Sequence, residues 1–424
     1  MEDAVRLALQ KNPSIRARME GSQAAQARVA ATRSGFLPKV NYSESFTRSN
    51  NPVFVFSSLL TQHLFTEGNF QVGPLNRPDF LNNFQSQVTV DQVVYDGGAT
   101  RQTVRSAELM RDMSGEEDRH TRMEVIAGAA RAYYGVVLSA ESLRTANEAM
   151  RSAEADLARA AAVRQAGMST DADVLSIRVH LAGVKEQEIR RAADLEVARA
   201  ALNEALGLPL DVTHSLTTAL TPAAAPVRTL AEFEKQAIES RPESRGVDLA
   251  ARLARTREQA ARSALLPQVS VRGAFEADRQ RFVTRGGANW TAAVDLRWNL
   301  WNGFGDKARI AEAGHTARQA EAEKERAGSG IRLEVRRAWA DLGAARERIA
   351  VARAAVEQAQ ESLRITQNRY SAGLSDVTDL LRTETALLES KTRLLAAIHD
   401  QRIAAVMLEL SAGTLSADSE VLRP

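Results

Sequence analysis

Histidines are the side chains here most suited to chemistry, and their spacing argues against a catalytic or metal site. None of the six stands at a spacing typical of metal ligands. They are His63, His120, His180, His214, His315 and His399. No nucleophile elbow or P-loop occurs, and Gly303-Phe304-Gly305 alone is a weak glycine-rich signal. Cysteine is absent, which excludes thiolate metal sites and disulfides. The sequence therefore predicts neither an enzyme nor a cofactor.

Two short turns with a shared pattern are better candidates, and their chemistry would be binding. Residues 164–169 contain Gly167, and residues 369–375 contain Gly373. Glycine permits the positive φ that a tight helix-to-helix turn needs. The apolar residue after each glycine is expected to be exposed and available to a partner.

Two copies of one long helical unit position these turns. Seventy residues separate Gly97 from Gly167 and also Gly303 from Gly373, and another glycine follows each turn after 40 residues. An arm of roughly 65 helical residues would span about 100 Å. Heptads starting at Leu342, with small residues at alternate positions, indicate closely packed helices.

The duplication predicts the domain organisation. Repeat 1 covers residues 1–207, with strands at about 38–48 and 86–95 and a helical hairpin at 99–206. A linker, 208–228, follows. Repeat 2 covers residues 229–413, with strands at about 267–279 and 289–301 and a hairpin at 305–412. Residues 414–424 are predicted to be an unpatterned polar tail.

The strands indicate a membrane β-barrel. Each alternates apolar and polar residues, and 16 of the 21 aromatic residues lie near them. Ten-residue strands match the hydrocarbon thickness. Four strands cannot close a barrel, whereas three chains would give twelve strands and leave a lumen. The residues predicted to face lipid are Trp290, Val294, Leu296 and Trp298. The alternative is a small soluble sheet with Trp290 and Trp298 in its core.

Charge and hydropathy exclude other classes. The net charge of +2 gives no electrostatic footprint for nucleic acid. No run of 18 apolar residues exists, so no transmembrane helix is expected, and residues 1–4 do not resemble a signal peptide.

Motifs at equivalent places in both copies carry a family resemblance. They are residues 36–40 and 265–269 at the first strands, 94–98 and 300–305 after the second strands, and the two glycine turns. With these motifs the chain resembles the TolC family of outer-membrane efflux proteins over essentially its whole length. The resemblance implies a mainly α fold, in which long helical hairpins form a periplasmic barrel. The four β-strands per chain would complete a 12-stranded outer-membrane barrel in a homotrimer.

The resemblance also implies location and partners. The trimer would sit in the outer membrane of a Gram-negative bacterium, in contact with its lipid, and extend into the periplasm. It would be the exit duct of a tripartite efflux pump or a type I secretion system. Its partners would be a periplasmic membrane-fusion adaptor and, through it, an inner-membrane pump of RND or ABC type.

Site residues follow from the resemblance alone. The turns become the periplasmic tips that dock the adaptor, at Arg164, Gly167, Met168, Ser169, Arg369, Gly373, Leu374 and Ser375. The implied periplasmic gate comprises Asp173, Tyr370, Asp379 and Arg382. We hypothesise that Tyr370 bonds Asp173 in the closed state and that three Asp379 side chains ring the entrance. Arg382 and Ser375 depart from the family pattern. The alternative for both aspartates is a solvated carboxylate at a helix start.

One alternative function comes from a different class. A soluble coiled-coil scaffold without transport activity would share the heptads but would not need detergent. Residues 51–84 are expected to form an extracellular loop.

Overall fold

The computed structural model describes residues 1–167, 169–284 and 286–423. Helices dominate, and four strands form a single sheet. In order, the elements are α1 (Glu2–Lys11), α2 (Pro13–Arg33), β1 (Lys39–Ser49), α3 (Pro52–Thr61), α4 (Val72–Asn76), β2 (Leu81–Tyr95), α5 (Ala99–Gln165), α6 (Asp171–Leu206), α7 (Leu230–Ser240), α8 (Pro242–Ser263), β3 (Gln268–Arg279), β4 (Gly287–Arg297), α9 (Gly305–Ser371) and α10 (Val377–Ser411). The fold class predicted from the sequence is confirmed.

Glycines end the long helices in the left-handed conformation. Gly167 and Gly373 have φ of +78° and +72° and have open space around them. Gly207 has the same conformation but no space, because a Cβ there would lie 2.6 Å from the Lys11 carbonyl oxygen. Gly207 therefore serves both a turn and a close backbone approach.

The chain divides into two compact units, and each unit draws on both predicted repeats. The first comprises Met1–Ser22, Met113–Asp248 and Ala322–Pro424, of which residue 424 lies outside the described part. Its largest core cluster joins side chains of α1, α5, α6 and α10, such as Val5, Tyr134, Leu206 and Val406. The heptad residues Leu342, Ala345 and Ile349 are also buried, as helix packing requires.

The C-terminal segment differs from its prediction. Leu415 and Leu422 are buried in the first unit's core, so residues 414–423 are not an open polar tail. Arg402 on α10 helps to hold this segment. Its guanidinium donates to the carbonyl of Thr221 in the linker at 2.6 Å and to the carbonyl of Arg423 at 2.7 Å. It also lies 5.6 Å from the centre of the Tyr134 ring.

The second unit, Gln23–Asp112 and Leu249–Glu321, contains the sheet. The strand order is β1-β2-β3-β4, and every neighbouring pair is antiparallel. Two hairpins were expected, but β2 also pairs with β3, with Val88 opposite Phe275. Only β1 and β4 are edges.

Several boundaries differ from the prediction. β2 begins at Leu81 and β4 ends at Arg297. Trp298, which was predicted to lie within this strand, therefore lies just beyond β4, where its indole N–H donates to the Leu265 carbonyl at 3.1 Å. Residues 51–84 hold α3, α4 and the start of β2, which alternation alone did not reveal. Within the described ranges, no helix is both long enough and apolar enough to cross a membrane.

Candidate functional site

The first glycine turn joins α5 to α6. The Gly167 amide donates to the Arg164 carbonyl at 2.9 Å, and the Arg164 side chain pairs with Asp171. Met168, predicted to be an adaptor contact, lies outside the described residues. The turn is thus closed by its own backbone, as a tight connection between helices requires.

Asp173 lies at the start of α6, where it completes a capping box with Thr170. One carboxylate oxygen accepts from the Ser169 hydroxyl at 3.0 Å and from the Thr170 amide at 3.1 Å. The Thr170 backbone hydrogen bond is the largest cause that lowers the pKa of Asp173. Asp173 is therefore a helix-capping carboxylate in this structure.

The second turn joins α9 to α10 in a similar way. The Leu374 amide donates to the Arg369 carbonyl at 2.8 Å, and the Gly373 amide donates to the Tyr370 carbonyl at 3.0 Å. The Leu374 side chain is 69% exposed. This turn therefore presents a largely exposed apolar residue.

Asp379 occupies the place in α10 that Asp173 has in α6. The Ser375 hydroxyl donates to its carboxylate at 3.1 Å, and its amide donates to the side chain of Asp376 at 2.8 Å. Arg382 lies 3.8 Å from the same carboxylate, and both side chains are exposed. The two turns therefore share a Ser-to-Asp hydrogen bond, and the second adds a loose ion pair.

Tyr370 connects the two turns through apolar packing. It contacts a cluster that includes Val174 and Ile177 of α6 and Val377 of α10. Burial, followed by the charges of Asp173 and Asp156, raises the pKa of Tyr370. Among the described residues, no hydrogen bond joins Tyr370 to Asp173, so their bond in a closed state remains a prediction.

A buried acidic pair near these turns was not predicted. Asp156 of α5 is 3% exposed, and Glu384 of α10 is also buried. His180 of α6 brings its Nε2 to 3.4 Å from Glu384, and the Ser152 hydroxyl donates to Glu384 at 3.1 Å. Arg159 lies 3.4 Å from Asp156 at the surface end of the group. Three helices thus meet at two carboxyl groups and one imidazole.

The surroundings of the two carboxyl groups favour one proton shared between them. Burial, followed by the hydrogen bond to Glu384, raises the pKa of Asp156 to about 7. Burial opposes ionisation of Glu384 as well, but hydrogen bonds from His180 and Asp156 outweigh it and hold the pKa of Glu384 below its usual value. These opposite shifts favour a proton on Asp156 and an ionised Glu384.

Heptad spacing could have marked each of these two carboxyl groups as buried. Asp156 lies between Ala153 and Ala160 along the buried edge of α5. On α10, Leu380 follows Val377 by three residues and Glu384 follows Leu380 by four. A carboxylate at a buried heptad position is costly unless it is paired or neutral. Such positions are candidates for a proton-sharing site.

Three of the predicted lipid-facing residues project from one face of β4. Trp290, Val294 and Leu296 alternate with polar residues, and Trp290 is 78% exposed. Trp298 is also exposed but lies after the strand. The opposite, polar face bears Asn83, which hydrogen bonds to Gln62 at the end of α3. The apolar face is thus open while part of the polar face is covered.

Metal binding receives no support from the described ranges. They contain no group of three or more His, Asp or Glu side chains that could hold a metal ion.

Comparison with known proteins identifies relatives over nearly the full length. The family profile for outer membrane efflux proteins matches residues 4–208 and 234–414. The outer membrane efflux protein BepC of Brucella suis biovar 1 is 24% identical, over 97% of this chain and 84% of the relative. The alkaline protease secretion protein AprF of Pseudomonas aeruginosa is 22% identical, over 99% of this chain and 86% of the relative.

A solved structure shares the fold. The outer membrane channel CmeC of Campylobacter jejuni superposes with a TM-score of 0.81 at 16% identity, covering 99% of this chain and 87% of that chain. The names of the two relatives refer to efflux and to protease secretion.

Proposed function

The chain belongs to the outer membrane efflux protein family, and from this premise we propose that three copies form the exit duct of an efflux pump or a type I secretion system. It is an outer-membrane efflux channel of a Gram-negative bacterium that extends into the periplasm. The soluble scaffold is not favoured, because the family match spans both repeats.

The open apolar face of the sheet carries the proposal of a trimeric barrel. In water, a sheet buries its apolar face and leaves the polar one solvated. Here Trp290 and Val294 are 78% and 72% exposed, while α3 covers part of the polar face. Lipid against the apolar face would account for its exposed side chains, and an aqueous lumen on the other side would account for the polar face. The free edges β1 and β4 would pair between chains, because unpaired backbone groups are costly in lipid.

The glycine turns are proposed to be the tips that dock a periplasmic adaptor, which links the duct to an inner-membrane pump. The exposed Leu374 supplies an apolar contact, and Arg164, Ser169, Arg369 and Ser375 surround the two glycines with polar groups. Since these turns are closed by their own hydrogen bonds, they offer a rigid surface, which lowers the entropic cost of docking.

Detergent dependence and assembly test the duct. The full chain should require detergent for extraction, run as a heat-labile trimer and form channels in planar bilayers. A monomer or dimer that purifies without detergent would contradict the proposal. Trp290→Asp together with Val294→Asp should abolish assembly because both charges would face lipid. Thr291→Asp, which lies on the polar face, is the matched control and should assemble.

The gate proposal has separate tests. Tyr370→Phe removes only a hydroxyl, so a raised open probability in bilayers would support its bond to Asp173 in the closed state. An unchanged open probability would refute the hydrogen bond and would mean that Tyr370 acts only through its apolar packing. Asp379→Ala should weaken cation block and cation selectivity, and unchanged values would refute the proposed ring.

A further inference from the structure

The segment between β1 and β2 is a folded unit, which we call the cap (residues 51–80). Asn51 begins it by accepting hydrogen bonds from two backbone amides in the first turn of α3. Inside the cap, the Phe65 ring lies 4.9 Å from the Phe56 ring and 5.1 Å from the Phe70 ring. These contacts hold the cap in one conformation.

Hydrogen bonds attach the cap directly to β2 and β4, and through a β2 side chain to β3. Gln62, which is 2% exposed, donates to the Asn83 side chain at 2.9 Å. Asn83 in turn donates to Asp278, which is 1% exposed, at 2.6 Å. A second attachment runs from the Asn289 side chain to the Thr61 carbonyl at 3.0 Å. Because Gln62 and Asn83 are buried, separating the cap would leave the donor of one and the acceptor of the other without partners unless water entered.

A glycine allows the cap to lie directly on the sheet. Gly287 is buried at the start of β4, and a Cβ there would overlap the Thr61 carbonyl oxygen. The same Cβ would lie 2.8 Å from the Gln62 carbonyl carbon. Any larger residue at position 287 must therefore displace the cap.

Strand register shows which face the cap covers. Asn289 precedes Trp290 and pairs with Glu276, so it lies on the face opposite Trp290. Asp278 follows Glu276 by two residues and shares that face, as does its hydrogen-bond partner Asn83. The cap therefore lies on the polar side of the sheet.

The geometry points to a cap that sits inside the outer mouth of the duct and limits passage through it, held by the Gln62-Asn83-Asp278 latch. This inference rests on the proposed trimer, in which the polar face lines the lumen. The cap follows the end of β1 that is remote from Gly97 and Gly303, where the long helices begin. That end faces the exterior when the helices extend into the periplasm.

Cysteine labelling from outside the cell tests the cap independently of the tips. The chain has no cysteine, so Thr291→Cys places a single thiol on the polar face. This thiol lies two residues beyond Asn289 along β4, farther from the outer end of the strand. Intact cells would be treated with a bulky, membrane-impermeant maleimide, and the labelling rate would be measured. The cap would be displaced by Gly287→Ala. In a second variant, residues 50–80 would be replaced by a two-residue Asn-Gly turn, because Ser49 pairs with Leu81.

We expect the labelling rate to be about tenfold higher in both variants than in the parent. A difference of this size corresponds to a parent cap that is open less than about a tenth of the time. Gly273→Ala is the control, since its Cβ would meet no atom within 4 Å, and it should label like the parent. Equal rates in the parent and the cap-deleted chain would overturn the cap alone. Absence of labelling even in the cap-deleted trimer would overturn the aqueous lumen and the cap with it.

Discussion

Replacing Asp156 by asparagine should stabilise the protein at alkaline pH and leave it unchanged in acid. The folded-state pKa of Asp156, about 7, lies above its ordinary value of 3.8. The folded chain therefore holds this proton more tightly than the unfolded chain does. Its contribution to stability is fully present below about pH 4 and is lost as the pH rises to about 7. Asparagine keeps a donor for Glu384 and has no proton to lose.

The size of the effect follows from the same values. A rise from 3.8 to about 7, which already includes the opposing charge of Arg159, corresponds to on the order of 4 kcal/mol. We therefore expect Asp156→Asn to gain about 2–4 kcal/mol over the parent at about pH 8, and nearly nothing at about pH 4.

Guanidinium unfolding in detergent, followed by circular dichroism at both pH values, would measure the difference. Asp194→Asn is the matched control, because Asp194 forms an exposed pair with Arg191 at 3.1 Å. It should change stability by less than about 0.5 kcal/mol at either pH. If Asp156→Asn were less stable than the parent at alkaline pH, Asp156 would be ionised and paired with Arg159, and the shared proton would be refuted.

Two further predictions concern the first compact unit. Gly207→Ala should cost about 3 kcal/mol or more, and Gly167→Ala only about 1–2 kcal/mol, because both have positive φ but only Gly207 meets a neighbouring backbone. Equal losses in unfolding free energy would contradict the close approach. Arg402→Met should cost about 2–5 kcal/mol, since it removes the buried guanidinium that donates to carbonyls of the linker and the C-terminal segment. Melting of the variant within a degree or two of the parent would contradict that anchoring role.

Local sequence patterns were sufficient to predict the architecture. The equal spacings from Gly97 to Gly167 and from Gly303 to Gly373 indicated two equivalent helical arms, and α5 and α9 each contain 67 residues. The change from a helical period to a period of two located all four strands, because alternation depends only on neighbouring residues. The positive φ of the turn glycines could likewise be read from residue type.

The tertiary structure decided which distant groups meet. Asp156 and Glu384 are 228 residues apart, and no local period indicates that two helices bring them together. Similarly, alternation predicted the polar face of the sheet but not the cap that Gln62 and Asn83 attach to it. A periodic pattern specifies the buried side of an element, since burial is a property of each position. The partner of a buried residue depends on how the elements pack against each other. Packing therefore decides that Asp156 meets Glu384 and that the cap covers the polar face of the sheet.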